Sequence, residues 1–184
     1  MNEKFYALFG ILGPLVVYLS IVASLALSPS FSWRSSALSD LGHSVNSEVA
    51  VIFNLGLLLA GFFLMIYSLT ILKNHAKYSS IFLLISAFLV QLLAVFNEGY
   101  GDLHYILAFP HFVMLSITTI VYTIEKKSTV AFVTFMIVMF SWLFYALDIF
   151  EIGIAVPETI SKLVVFWIMV SAIGIYFDRD TNIR

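Results

Sequence analysis

Polar and apolar positions alternate in long blocks along this chain. Runs without Asp, Glu, Lys or Arg cover 5–33, 49–72, 78–97, 103–124, 128–147 and 163–177. A helix that crosses a bilayer needs about 20 mostly apolar residues. The last run reaches that length, as 157–177, when Lys162 snorkels to the interface. The pattern predicts six spanning helices near 5–27, 49–72, 78–97, 103–124, 129–149 and 157–177, in one membrane domain covering 1–184. Within each run the apolar residues are continuous and do not alternate, so these are helices and not barrel strands. The first run exceeds a signal-peptide core and is read as a retained span. The expected fold is an all-α, polytopic six-helix bundle.

Composition sharpens this. Of 184 residues, 61% are hydrophobic and 11% charged, with a mean hydropathy of +1.03. Soluble domains carry about 25% charged residues. A water-soluble fold would leave too much apolar surface exposed, and disorder requires the opposite composition. A net charge of −2 provides no footprint for nucleic acid. Cysteine is absent, which removes disulfides, thiolate nucleophiles and cysteine-bound metals. The expected place is a cytoplasmic or plasma membrane, with lipid as the partner and the oligomeric state open.

Lys and Arg orient the bundle. Lys4, Lys73, Lys77, Lys126, Lys127, Arg179 and Arg184 fall on one side, and Arg34 and Lys162 on the other. This predicts both termini in the cytoplasm and the 28–47 loop outside. Asp40, Glu48, Glu98, Asp102, Asp148, Glu151 and Glu158 then lie outside, with His43, His104 and His111 in the outer half. Seven outer acids against two bases favour a cationic or metal-bridged ligand over a bare phosphate.

The long outer loop holds eight serines, with Phe31 and Trp33 suited to the headgroup region. It is either a solvated loop or a folded lid. In the lid reading Ser35 or Ser36 caps a short turn ending at Gly42, Asp40 accepts hydrogen bonds, and Gly42 takes a positive φ. Asn46 or Ser47 is positioned to cap the second span.

Asn54 and Gln91 each lie six residues inside a span, about 9 Å deep, and His111 about 12 Å deep. Ser20 and Ser141 fall near that level. Polar groups at such depth must turn inward and be hydrogen-bonded. They form either interhelical glue, with Asn54, Gln91 and His111 bonding one another, or the floor of a pocket. Pro110 frees the Ile106 carbonyl beside His111. His104 and His111 are seven apart, too far along the helix to hold one ion together. Glu158 and Lys162 have the spacing of a helix-end ion pair.

Several segments together resemble a known family. They are Gly13-Pro14, Ala37-Leu38-Ser39-Asp40-Leu41-Gly42, Phe53-Asn54 with Gly56, Val95-Phe96-Asn97-Glu98-Gly99 with His104-Tyr105, and Gly153, Glu158 and Trp167. Their order resembles the six-span membrane family of unknown function, DUF998. The resemblance implies six helices and an outward-facing site. That family often has Glu followed by Arg at the sixth span, whereas Thr159 follows Glu158 here. More distantly, Ser39-Asp40 with Gly42 is similar to a loop of the Frag1/DRAM/Sfk1 membrane proteins. Ser39-x-x-x-His43 is similar to a step in membrane zinc hydrolases of the alkaline ceramidase and adiponectin receptor type. Those also use a His-x-x-x-His pair on a late helix, and none follows His111.

The leading expectation is a binder of a polar lipid headgroup or small amphiphile in an outward-facing vestibule. Its rim is Asp40, His43, Glu98, Asp102 and His104, and its floor Asn54, Gln91 and His111. No cofactor or metal is expected; a metal, if held, would use Asp40, His43, His104 and Glu98. The alternatives are a metal-dependent hydrolase acting on lipid at the interface and a small inverted-repeat transporter with Pro14 and Pro110 at comparable depths.

Overall fold

The structure, a computed structural model, describes residues 3–177. The tail charges Asp178, Arg179, Asp180 and Arg184 lie outside the described residues. Six helices are long and apolar enough to cross a membrane: α1 Glu3–Ala26, α2 Ala50–His75, α3 Lys77–Val95, α4 Asp102–Lys126, α5 Thr129–Ala146 and α6 Ala155–Phe177. No strand occurs among the described residues. The chain is thus an integral membrane helical bundle.

The six helices alternate in direction, so Glu3 and Phe177 share one end, the base. The 27–49 connection covers the other, the lid end. Neighbours in sequence pack together, and α1 closes the ring against α6. Glycines set how closely α1 approaches its partners. A Cβ on Gly10 would lie 2.7 Å from Ala172 Cβ, one on Gly13 2.9 Å from Leu64, and one on Gly56 2.2 Å from Ser20. With little hydrophobic drive between helices in lipid, such close backbone approach is what dispersion has to work with.

Two apolar cores result. One, towards the base, gathers Tyr67, Ile71, Leu83, Trp167 and Ile168. The other, under the lid, gathers Val17, Leu41, Phe53, Leu57 and Val90. In the base half, Tyr122 stacks on Trp167 at 4.0 Å between ring centres. Tyr122 donates to Ser171 Oγ at 2.7 Å, and Trp167 donates to Thr119 Oγ1 at 3.1 Å. This half is packed and internally hydrogen-bonded.

Helix ends are satisfied across the bundle. The residue before α3, Ala76, has no side chain with which to cap it. Glu125, from the end of α4, accepts from Tyr78 N and Ser79 N at 2.9 Å each, and from Ser79 Oγ. A carboxylate here meets both the unpaired amides and the positive end of the α3 dipole. The α5 helix buries only a narrow stripe, Ala131, Thr134, Val138 and Ser141, and is the most peripheral.

Two helices depart from α geometry. The α2 helix widens into a π turn over Ser68–Leu72. The α6 helix tightens into a 3-10 turn over Lys162–Val165. At the start of that turn Tyr18 of α1 donates to the Lys162 carbonyl at 3.2 Å. Mid-helix 3-10 turns often mark functional positions, and this one carries the only Lys or Arg within α6.

Candidate functional site

The 27–49 connection is a folded lid. A 3-10 turn over Leu38–Gly42 lies at its centre. Leu38 and Leu41 point down as a plug, only 1% and 2% exposed. Asp40 faces up, and its Oδ2 accepts from Ala37 N at 2.8 Å, closing the turn. The cap is therefore Asp40 and not Ser35 or Ser36. Ser47 does not cap α2 but donates to Leu41 O at 2.8 Å, and Asn46 reaches the His43 ring.

Latches from four directions hold the lid. Leu38 N donates to Glu158 Oε2 of α6 at 2.6 Å. Asn54 of α2 donates to Gly42 O at 2.8 Å. Ser44 N donates at 3.2 Å to Asn97 Oδ1, beyond α3. On the fourth side Arg34 pairs with Glu151, and Gly153 lies under the Trp33 and Arg34 carbonyls, 2.3 Å and 2.5 Å from where its Cβ would be. Gly42 does not adopt a positive φ; among described glycines only Gly101 does. Glycine is required at 42 for room, because a Cβ there would lie 2.6 Å from Asn54 Oδ1 and 2.9 Å from Phe53.

The lid divides the polar groups into two compartments. Above it is an open cleft of about 570 Å³ whose lining includes Ser28, Ser36, Asp40, His43, Asn46 and Glu48. No Lys or Arg lines it. His43 Nδ1 accepts from Val45 N and Asn46 N at 3.3 and 3.2 Å, which orients the ring. Below the lid is a chamber of about 70 Å³ whose polar lining is Ser39, His104, Tyr105, Glu158 and Lys162. Deeper still, a void of about 30 Å³ touches Ser86, His111 and Lys162. Lys162, Leu57 and Val90 line both inner spaces.

The residues expected to share one vestibule are thus distributed. Asp40 and His43 belong to the outer cleft. Asn54 belongs to the lid latch. Gln91 lines neither inner space and donates towards Met65 Sδ at 2.6 Å and Ala87 O at 3.3 Å. His111 is buried, its Nδ1 3.0 Å from Ser86 O and 3.1 Å from Ser86 Oγ. These three do not bond one another. Ser20 and Ser141 return their hydroxyls to their own helices, at Val17 O and Val138 O. His104 is buried, with Nδ1 3.0 Å from Phe96 O and Nε2 3.2 Å from Glu98 Oε2. Glu98 Oε1 accepts from Tyr105 at 2.6 Å. Asp102 is exposed at the start of α4. Among the described residues no three His, Asp or Glu side chains gather as a metal site.

Glu158 and Lys162 are not the helix-end ion pair their spacing suggests. Glu158 is engaged by the lid, and Lys162 Nζ sits 4.7 Å from the centre of the Phe112 ring. Both face the chamber. Glu158, Ser161, Lys162 and Val165 share one face of α6 by spacing alone; that this is an inward face is shown by the burial of Ser161 and Val165, which the spacing does not reveal.

Fold and site together define a class: a six-helix membrane bundle with a latched lid over a polar chamber. The family model described as "Protein of unknown function (DUF998)" matches residues 11–176, and the chain belongs to that family. No curated protein and no solved structure matches the chain. The Ser-Asp-Leu-Gly and Phe-Asn segments that carried the resemblance are the lid turn and its α2 latch.

Proposed function

We infer that this protein sits with both termini in the cytoplasm and its lid outside. There it binds the head of an amphiphile bearing a positive charge, such as a quaternary ammonium. The observation that carries this reading is the lining of the outer cleft. It offers two carboxylates, Asp40 and Glu48, several hydroxyls, the His43 imidazole, and no Lys or Arg. Leu27, Pro29, Phe31 and Val49 continue the lining as an apolar strip. Carboxylates beside an apolar strip at the level of α1 and α2 ends match a cationic head whose tail remains in lipid. Exposed Trp33, edge-on to Phe31 at 5.2 Å, suits the same interfacial depth.

Orientation is tested directly, because the chain has no native cysteine. Ser30→Cys, exposed on the lid, is expected to react with an impermeant maleimide added outside intact cells. Labelling only after the inner face is opened would reverse the topology. Binding is tested by calorimetry of the full chain in maltoside detergent. Decyltrimethylammonium is expected to bind more tightly than decyl sulfate. Asp40→Asn with Glu48→Gln should weaken it about tenfold, as expected for two partly exposed charge contacts. Equal binding of the sulfate, or an unaffected double variant, would sink this reading.

A further inference from the structure

We propose that the chamber beneath the lid is a second, separate site, for a carboxylate anchored on Lys162, with an acyl chain as its continuation. Lys162 lies seven residues into α6, about 10 Å from its start. A cation at that depth in a spanning helix is costly, and such residues mark functional sites when they face the bundle interior. Lys162 does face it, lining both inner spaces.

The ammonium has no carboxylate of its own. Ion pairs within 4.0 Å among the described residues are Arg34–Glu151, Glu3–His75 and Glu98–His104, and Lys162 is in none. Its charge rests against the Phe112 ring, with the Glu158 carboxylate near enough to act on it but beyond ion-pair distance. Glu158, one turn nearer the lid, spends Oε2 on Leu38 N. His111, on the far side, is held by Ser86. The site thus presents to the chamber one cation outside any ion pair, on a helix turn whose backbone is fixed by the Tyr18 bond to the Lys162 carbonyl.

Size and lining select the anion. A water needs about 10–15 Å³ of such space, so about 70 Å³ has room for a carboxylate and its first methylenes. A glycerophosphate head is too large. Phe53, Leu57, Val90, Leu93 and Ala108 make the rest of the wall apolar, which suits an alkyl chain and not a hydrated inorganic ion. Ser39 at the lid side adds a hydroxyl to the same chamber, while the Tyr105 hydroxyl is already donated to Glu98 Oε1.

The test is calorimetry of the full chain in maltoside with sodium decanoate, 1-decanol and sodium acetate. Decanoate is expected to bind, and decanol, with the same tail and no charge, to bind at least about tenfold more weakly. Lys162→Met should weaken decanoate at least about tenfold, and Lys162→Arg should retain most of the affinity. Decanol binding as well as decanoate, or Lys162→Met binding as wild type, would overturn the proposal. Acetate separates the sources of the carboxylate. Lys162-dependent binding much weaker than decanoate identifies an acyl ligand, and equal affinity identifies a small free carboxylate in the same site. If Lys162→Met does not fold, Glu158→Gln decides. Glutamine keeps an oxygen for Leu38 N but removes the neighbouring negative charge, so decanoate should bind about threefold more tightly. An unchanged or weaker affinity there would also overturn it.

Discussion

Gly56→Val is expected to destabilise the bundle by at least about 3 kcal/mol, the upper part of the range for overpacked cores. The cause is local. Gly56 of α2 faces Ser20 of α1, and a Cβ at 56 would lie 2.2 Å from both Ser20 Cβ and Oγ. Ser20 Oγ is itself fixed on Val17 O at 2.9 Å, so it has no free rotation in which to retreat. The α1 backbone must move, and the nearby fits of Gly13 on Leu64 and Gly10 on Tyr67 move with it. For a chain of this size the loss corresponds to a thermal midpoint lower by about 6–12 °C. Gly174→Ala is the control, since a Cβ there meets nothing within 4 Å. Ser20→Gly combined with Gly56→Ala should recover nearly all of the loss, since one helix glycine is added as another is removed. A Gly56→Val protein melting within about 2 °C of wild type would mean the α1–α2 contact does not carry stability as described.

The fold was legible because a bilayer accepts few solutions. Continuous apolar runs punctuated by Lys73–Lys77 and Glu125–Lys127 leave little choice but helices of that number. The lid turn was legible as well, through Asp40 and Gly42. Its reason was misread at Gly42: sequence reveals that a glycine is present, but not that Phe53 and Asn54 will pack against it. The polar layer was legible only as depth. Counting residues along a span places Asn54, Gln91 and His111 by depth, but helix rotation decides what each meets. Rotation sends Asn54 up to Gly42, Gln91 sideways to Met65 and His111 in to Ser86. Lys162 was misread for a different reason. A Lys near a span end, four residues after a Glu, has the pattern of a surface pair, and charge counting treats it as a loop residue. Only the packing of α6 against α1 and α4 turns it inward, where Tyr18 and Phe112 receive it.

Gly42→Val is expected to open the lid while leaving the six helices assembled. At 42 even a Cβ would collide with Asn54 Oδ1 and with the Phe53 ring. Asn54 cannot simply turn away, because its amide donates to the carbonyl of Gly42 itself. Relief requires the turn to rise, which draws Leu38 and Leu41 out of the plug and Leu38 N off Glu158 Oε2. The base core, with Tyr67, Trp167 and Ile168, shares no residue with this contact. Stability should therefore fall by about 1–3 kcal/mol, as in ordinary overpacking, and not collapse. The decisive measurement is access to the chamber. Ser39 lines it, so Ser39→Cys placed in the cysteine-free chain reports its opening to a water-soluble thiol reagent. With Gly42 intact the reaction should be slow; with Gly42→Val it should be at least about tenfold faster, as expected when a latch worth about 1.4 kcal/mol is lost. Gly101→Ala serves as the contrast. Gly101 has φ +56° and open space around its Cβ, so alanine there strains the backbone without touching the lid, and Ser39→Cys should react at its original rate. If Gly42→Val leaves that rate unchanged in folded protein, the lid is not held by the fit of Gly42 against α2, and the chamber is closed by some other contact.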